Sequence, residues 1–108
     1  MEDVIRNKLN KIKNLVCLEK KYRLSKHVIN DYLKTGKSSI HDIEYCIQNS
    51  KTINGIREDK MGTATDGKLY KIIGRNKMRN KFYTAGKFIK NSDNEELYFF
   101  ITAHKIEG

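Results

Sequence analysis

The hydrophobic pattern of the chain changes its period once, near residue 50, and this change constrains the fold more than any other feature. Before it, apolar residues recur every three or four positions, as on one face of a helix. Ile5, Leu9, Ile12 and Val16 form the clearest such stripe. After it, apolar and polar residues alternate, as in strands that bury one face. Helices followed by strands predict an α+β fold, with N-terminal helices packed on one face of an antiparallel sheet.

Three helices are expected. The first spans residues 2–18 and is followed by a short extended piece at 21–24. Ser25 is a suitable N-cap for the second helix, and Ser39 is a suitable N-cap for the third. Gly36 ends the second helix, and the third fades near Asn49. The residues of the last two helices expected to face the core are Val28, Ile29, Tyr32, Leu33, Ile40, Ile43, Cys46 and Ile47.

Four strands are expected after the helices, and the last has the strongest alternation. Their predicted bounds are 52–57, 68–73, 81–90 and 97–104. Strict alternation divides the last strand into an inner and an outer set. The inner set, expected under the helices, is Leu97, Phe99, Ile101 and Ala103. The outer set, expected on an open face where a base could stack, is Tyr98, Phe100, Thr102 and His104.

Length and apolar content fit a single domain. The 108 residues divide into an N-terminal amphipathic helix, 1–20, and an α+β body, 21–108. No apolar run approaches the roughly 20 residues that span a bilayer, so no membrane partner is expected. Cys17 and Cys46 are too few and too far apart for a disulfide framework or a zinc site. They are expected to be buried free thiols of a protein that works in a reducing cytoplasm.

Basic residues concentrate in one segment. Residues 67–90 contain eight Lys and Arg and no Asp or Glu, in a chain whose formal charge is +9. Like charge at this density repels itself unless an anion binds there. Nucleic acid is favoured over a membrane surface, because the segment is predicted to form strands and lacks an apolar helical stripe. The residues expected to bind this substrate are Lys68, Lys71, Arg75, Lys77, Arg79, Lys81, Tyr83, Lys87 and Tyr98.

The chemistry available suits RNA cleavage without a metal or another cofactor. The acidic residues are scattered, which disfavours a two-metal nuclease, and no phosphate-binding glycine loop is present. A base that deprotonates the ribose 2′-hydroxyl, an acid and a cation are sufficient, and histidine is the best proton-transfer side chain. His27 and His104 are the candidates, whereas His41 is interpreted as a solvated residue at a helix start. RNA is favoured over duplex DNA, because Tyr98 and Phe100 are expected to be exposed and able to stack unpaired bases, and no recognition helix for a major groove is apparent.

Two short motifs resemble those of a known group of ribonuclease toxins. Lys26-His27, at the start of the second helix, is similar to the Lys-His pair of the colicin D nuclease domain. Thr102-Ala103-His104, on the last strand, is similar to the Ser-x-Trp of that domain, with Thr replacing Ser and His replacing Trp. The chain therefore resembles the barnase–EndoU–colicin–RelE group.

The resemblance covers roughly residues 21–106 and extends to RelE/BrnT-like toxin domains. It implies a RelE/colicin D-like sheet and an endoribonuclease toxin that cuts tRNA or another structured RNA, leaving 2′,3′-cyclic phosphate ends. His27 would transfer a proton and Lys26 would hold phosphate charge. Thr102 would donate to a nonbridging oxygen, and His104 would be the second proton-transfer or stacking group.

The same resemblance implies a partner and a place of action. An acidic immunity or antitoxin protein would cover the basic surface, as charge complementarity expects. The toxin would act in a cytoplasm, either where it is made or after delivery as part of a larger toxin. Two other classes stay open from the residues: a non-catalytic basic nucleic-acid-binding module, and a small basic inhibitor that docks on an acidic partner.

Overall fold

The computed structural model describes residues 2–106, which form helices packed on a sheet. The helical elements are α1 (Glu2–Lys13), its continuation π1 (Asn14–Leu18), π2 (Val28–Leu33) and α2 (Ile40–Asn49). The strands are β1 (Tyr22–Leu24), β2 (Gly55–Glu58), β3 (Lys68–Arg75), β4 (Lys81–Lys90) and β5 (Glu96–Lys105). Within this part of the chain, no helix is both long and apolar enough to cross a bilayer.

The sheet has five strands and is mixed, with the order β1-β5-β4-β3-β2. The α+β class is therefore confirmed, whereas the expected four-stranded antiparallel sheet is wrong. The difference is β1, which pairs in parallel with β5 from Tyr22 opposite Tyr98 to Leu24 opposite Phe100. The extended piece expected at residues 21–24 is this strand, but three residues are too few for alternation to indicate a place in the sheet, so only the pairing reveals it. β4 has the bounds that the sequence predicts.

The helix starts are capped as the sequence predicts. The Ser25 hydroxyl accepts a hydrogen bond from the Val28 N–H at 3.1 Å, and the Ser39 hydroxyl accepts one from the Asp42 N–H at 3.1 Å. Both π-helical segments, π1 and π2, contain a hydrogen bond between residues five apart, such as Lys34 N–H to the Ile29 carbonyl. The sequence pattern does not distinguish this winding from an α-helix.

The core lies between the helices and one face of the sheet. Of the stripe of α1 and π1, Leu9, Ile12 and Val16 are buried as expected and Ile5 is half-buried. Val28, Ile43 and Cys46 are also buried. Ile29 and Ile40, expected to face the core, are exposed instead. Ile40 is the first residue of α2, and a side chain there points back beyond the helix end.

The two cysteines are free, as predicted, but only Cys46 is fully buried, since Cys17 is half-buried. Burial raises the pKa of the Cys46 thiol to about 11, partly offset by hydrogen bonds from Ser50 and the Gly74 backbone. Burial also raises the pKa of the Cys17 thiol. Both side chains are therefore poor nucleophiles near neutral pH.

A β-bulge divides β5 into two halves, and the residues of the first half face the opposite way from the expected pattern. Ala85 of β4 pairs with Thr102, whereas the next residue, Gly86, pairs with Phe100, so Ile101 is an extra residue. Tyr98, Phe100 and Ala103 face the helices and are fully buried. The open face of the sheet carries Leu97, Phe99, Thr102 and His104.

The prediction for this strand is therefore wrong in its first half and right in its second. Tyr98 and Phe100 belong to the core, and Leu97 and Phe99 to the open face, the reverse of the expectation. Strict alternation fails here because one inserted residue shifts the facing of everything before it.

Candidate functional site

Four aromatic rings form a row across the edge of the open face. The ring of His27 lies 4.9 Å from that of Tyr32, with an edge-on contact. Tyr32 stacks on His104 at 4.7 Å and 26° between planes. His104 lies 5.6 Å from Tyr83, its partner across the β4–β5 pairing. One tyrosine ring thus separates the two imidazoles that the sequence singles out, and both share one side of the molecule.

The parallel strand β1 brings His27 to this position. Ser25 follows β1 directly, and its N–H donates to the Phe100 carbonyl while its hydroxyl donates to the Ile101 carbonyl. These bonds fix the start of π2 beside the bulge of β5. His27 is therefore held next to the C-terminal half of β5, the strand that carries His104.

The His27 ring is oriented by a carboxylate one helical turn away. Its Nδ1 lies 2.6 Å from the Asp31 Oδ2, and its side chain is 51% exposed. A carboxylate only accepts hydrogen bonds at neutral pH, so Nδ1 carries the proton of the bond. In the neutral imidazole Nε2 is then unprotonated and free to accept a proton from a substrate.

His104 has the same arrangement with a different acceptor. Its Nδ1 lies 2.9 Å from the carbonyl oxygen of Lys105, and the residue is half-buried. A carbonyl oxygen also only accepts, which assigns the proton to Nδ1 and leaves Nε2 unprotonated in the neutral ring. Both imidazoles therefore offer Nε2 for proton transfer.

Thr102 and Lys26 flank this pair of histidines. Thr102 is two residues before His104, on the same face of β5, and is half-buried opposite Ala85. Lys26 is exposed and precedes His27 directly. The structure thus brings His27 and His104 together around Tyr32, with Thr102 on the same face of β5 as His104.

The open face carries basic residues and, at the strand positions described, no acidic ones. Pairing places Lys71 opposite Ala85, and Arg75 opposite Lys81, on the same side as Tyr83. Two further residues that sequence reasoning missed, Arg23 beside Phe99 and Arg57 beside Leu69, share this face. The sequence could not assign Arg23 to this face, because its position depends on the pairing of β1 with β5.

Three of the predicted substrate-binding residues lie elsewhere. Lys68, at the start of β3, alternates with the open-face positions and lies on the helix side. Lys77 lines a groove beside α2. Arg79 lies in the β3–β4 turn with a left-handed backbone (φ 67°), and its carbonyl accepts a hydrogen bond from Arg75. The acid-free segment is therefore not one surface, because alternation distributes its cations over both faces and the turn.

Lys87, also predicted to bind substrate, is buried in an ion pair. Its Nζ lies 3.3 Å from the Asp59 Oδ2, and that carboxylate also accepts backbone hydrogen bonds from Met61, Thr63 and Ala64. Burial disfavours the charged carboxylate, but these donors and the ammonium outweigh it and lower the pKa of Asp59. The pair holds loop 59–67 against the open face, and Lys87 is not available to a phosphate.

Tyr98 is likewise unavailable. Its ring is fully buried between Phe88 and Phe100, with edge contacts at 5.4 and 5.0 Å. The expectation that it stacks a base on the open face is wrong, and the ring that lies beside His104 instead is Tyr32. Only the tertiary position of π2 could have revealed that replacement.

A groove of about 690 Å³ lies on the opposite, helix side of the molecule. Its lining residues are Cys17, Lys20, His41, Glu44, Tyr45, Gln48, Asn49 and Lys77. Burial disfavours the charged form of Glu44, but hydrogen bonds from Lys20 and Tyr22 outweigh it and lower the pKa of Glu44. The remaining histidine, His41, lines this groove and is exposed at the start of α2, as the sequence indicates.

Among residues 2–106, no three His, Cys, Asp or Glu side chains are grouped as ligands of a metal ion. Comparison of the chain with protein families, characterised proteins and solved structures finds no match.

Proposed function

We propose that the protein is a metal-independent endoribonuclease whose site lies at the His27–His104 end of the open face. The observation that carries the proposal is the pair of imidazoles separated by one tyrosine ring, each with Nδ1 engaged and Nε2 free. Two such groups on one surface match the need of RNA cleavage for one base and one acid.

The proposed reaction uses the ribose 2′-hydroxyl as nucleophile. One imidazole Nε2 takes the 2′-hydroxyl proton, and the oxygen attacks phosphorus to form the cyclic phosphate. The bond to the 5′-oxygen breaks, and the other imidazole, protonated, returns a proton to that oxygen. Lys81, Lys71 and the Thr102 hydroxyl would stabilise the charge that develops on the nonbridging oxygens.

The resemblance to ribonuclease toxins supports the same proposal from the sequence. Lys26-His27 and Thr102-Ala103-His104 are similar to that group's motifs, with Thr in place of Ser and His in place of Trp, and His27 and His104 both contact the ring of Tyr32. By the same resemblance, tRNA or another structured RNA is the proposed substrate, and an acidic antitoxin or immunity protein is the proposed partner. A basic open face without acidic strand residues fits such a partner by charge.

Incubation of the protein with total RNA in excess EDTA tests the proposal. We expect discrete fragments whose 3′ ends are 2′,3′-cyclic phosphates, since the mechanism consumes no metal and no water in its first step. Intact RNA with a salt-sensitive gel shift would contradict catalysis and support the nucleic-acid-binding class. No RNA interaction at low salt would contradict both and favour the basic inhibitor.

The open-face lysines are expected to set the salt dependence of RNA binding. In the double variant Lys71→Ala with Lys81→Ala, the log of the RNA-binding constant should fall less steeply with the log of the salt concentration. The magnitude of the slope should decrease by about 0.7 per lysine, the value for single strands. Lys13→Ala with Lys51→Ala removes the same charge from the helix side, where these residues line other grooves, and should leave the slope unchanged. Fluorescence anisotropy with a labelled RNA measures both. Equal losses in the two double variants would contradict binding on the open face.

A further inference from the structure

Tyr32 occupies the space between the two histidines, yet nothing in the sequence pattern distinguishes it from a core residue of the second helix. It is half-buried, so its ring is partly exposed at the site. From its contacts we infer that Tyr32 is a positioning residue, which holds the plane of the His104 imidazole so that Nε2 faces the substrate. This inference rests on the proposed ribonuclease function for its catalytic consequence.

The His104 ring has a hydrogen bond to the backbone, a tilted contact with the Tyr83 ring at 5.6 Å and a stacked contact with the Tyr32 ring. The hydrogen bond from Nδ1 to the Lys105 carbonyl determines which edge of the ring points inward. That bond alone permits the ring to swing about it. A face-to-face contact at 4.7 Å with Tyr32 stops the swing, because the ring would have to leave the stack.

Tyr32 can serve as such a platform because its own backbone is fixed. Its carbonyl accepts hydrogen bonds from the N–H of Lys37 at 2.9 Å and of Ser38 at 3.1 Å, and a longer one from the Thr35 hydroxyl. These bonds close the end of π2 on itself. A π-helical segment is uncommon and is often found where a functional side chain must be placed.

The contact needs the ring of Tyr32 and not its hydroxyl, which gives a matched set of variants. Tyr32→Phe keeps the stack and should leave kcat within about twofold. Tyr32→Leu removes it and should lower kcat roughly 10- to 100-fold, the range for a misplaced catalytic group, with KM changed little. Tyr45→Leu, an exposed tyrosine on the far side, is the control and should resemble wild type.

A second measurement tests the positioning without any activity. The chain has three histidines, so their ring signals in NMR spectra can be assigned with single His→Gln variants. The His104 ring protons should be shifted upfield by the Tyr32 ring in the wild type and in Tyr32→Phe. They should move downfield in Tyr32→Leu, while those of His41 stay in place.

The outcomes separate the two proposals. Unchanged His104 signals in Tyr32→Leu would overturn the positioning role, whether or not the protein cleaves RNA. Shifted signals with unchanged kcat would overturn its catalytic consequence, as would an equal loss of kcat in Tyr32→Phe. Absence of RNA cleavage by the wild type would instead overturn the proposed function, while the shift of the His104 signals would still decide whether Tyr32 holds that ring.

Discussion

His27→Ala and His104→Ala should each lower kcat/KM for RNA cleavage about 10³-fold, while RNA affinity changes little. The size follows from the contribution of one general acid or base, which is typically 10²- to 10⁴-fold. Affinity should persist because phosphate contacts by the open-face cations supply most of it. Cleavage is measured with a labelled RNA in EDTA, and binding by anisotropy.

His41→Ala is the matched control for these variants. His41 is a third imidazole, exposed on the helix side, and its loss should leave cleavage at the wild-type rate. Because paired catalytic groups act as a unit, the His27 and His104 double variant should be only slightly slower than either single variant. Full activity in His27→Ala would show the site assignment to be wrong even with the fold unchanged.

Gly86→Ala is expected to be the most destabilising small substitution in the sheet, by about 3 kcal/mol, since overpacking a core typically costs 1–3 kcal/mol or more. A Cβ at this position would lie 2.5 Å from the ring of Tyr98. That ring is fully buried and wedged against Phe88 and Phe100, so it has nowhere to move. Urea unfolding of the variant and the wild type measures the difference.

Two comparisons isolate the cause. Gly55→Ala places a Cβ 3.1 Å from the Lys71 Cε, the end of a flexible side chain, and should change the free energy of unfolding by less than about 1 kcal/mol. Tyr98→Leu should cost less in the Gly86→Ala background than in the wild type, because the smaller side chain relieves the clash. If the changes in the free energy of unfolding of Gly86→Ala and Tyr98→Leu were strictly additive, the contact of the new Cβ with the Tyr98 ring would not be the cause of the destabilisation.

Residues on long, regular elements were the ones that the sequence could predict. Four apolar residues at helical spacing place α1 and π1 on the core, and Ser25 and Ser39 cap their helices as expected. The failures are cases in which local pattern carries no information. Tertiary contacts determine three such features: the parallel pairing of the three-residue strand β1, the extra residue at Ile101 and the buried partner of Lys87.

In the candidate site too, some features are predictable from the sequence and others depend on tertiary contacts. Composition and residue type were enough to single out His27, His104 and a basic surface, because these follow from what RNA chemistry requires. The row of rings was not predictable, since Tyr32 and His104 are 72 positions apart and meet only through the packing of π2 beside β5. Alternation along β3 could have assigned Lys68 and Lys71 to opposite faces of the sheet. It could not have indicated that Lys87 is buried, because that burial depends on the ion pair with Asp59.

The position of β5 between β1 and β4 has a consequence for biosynthesis. β5 is the last of the five strands along the described residues, and it joins β1 to β4, so β1 has no partner in the sheet until β5 has been synthesised. Folding of such long-range pairings is slow relative to local structure. A chain whose synthesis stops before β5 therefore lacks both a complete sheet and His104, and the row of rings formed by His27, Tyr32, His104 and Tyr83 cannot form in it.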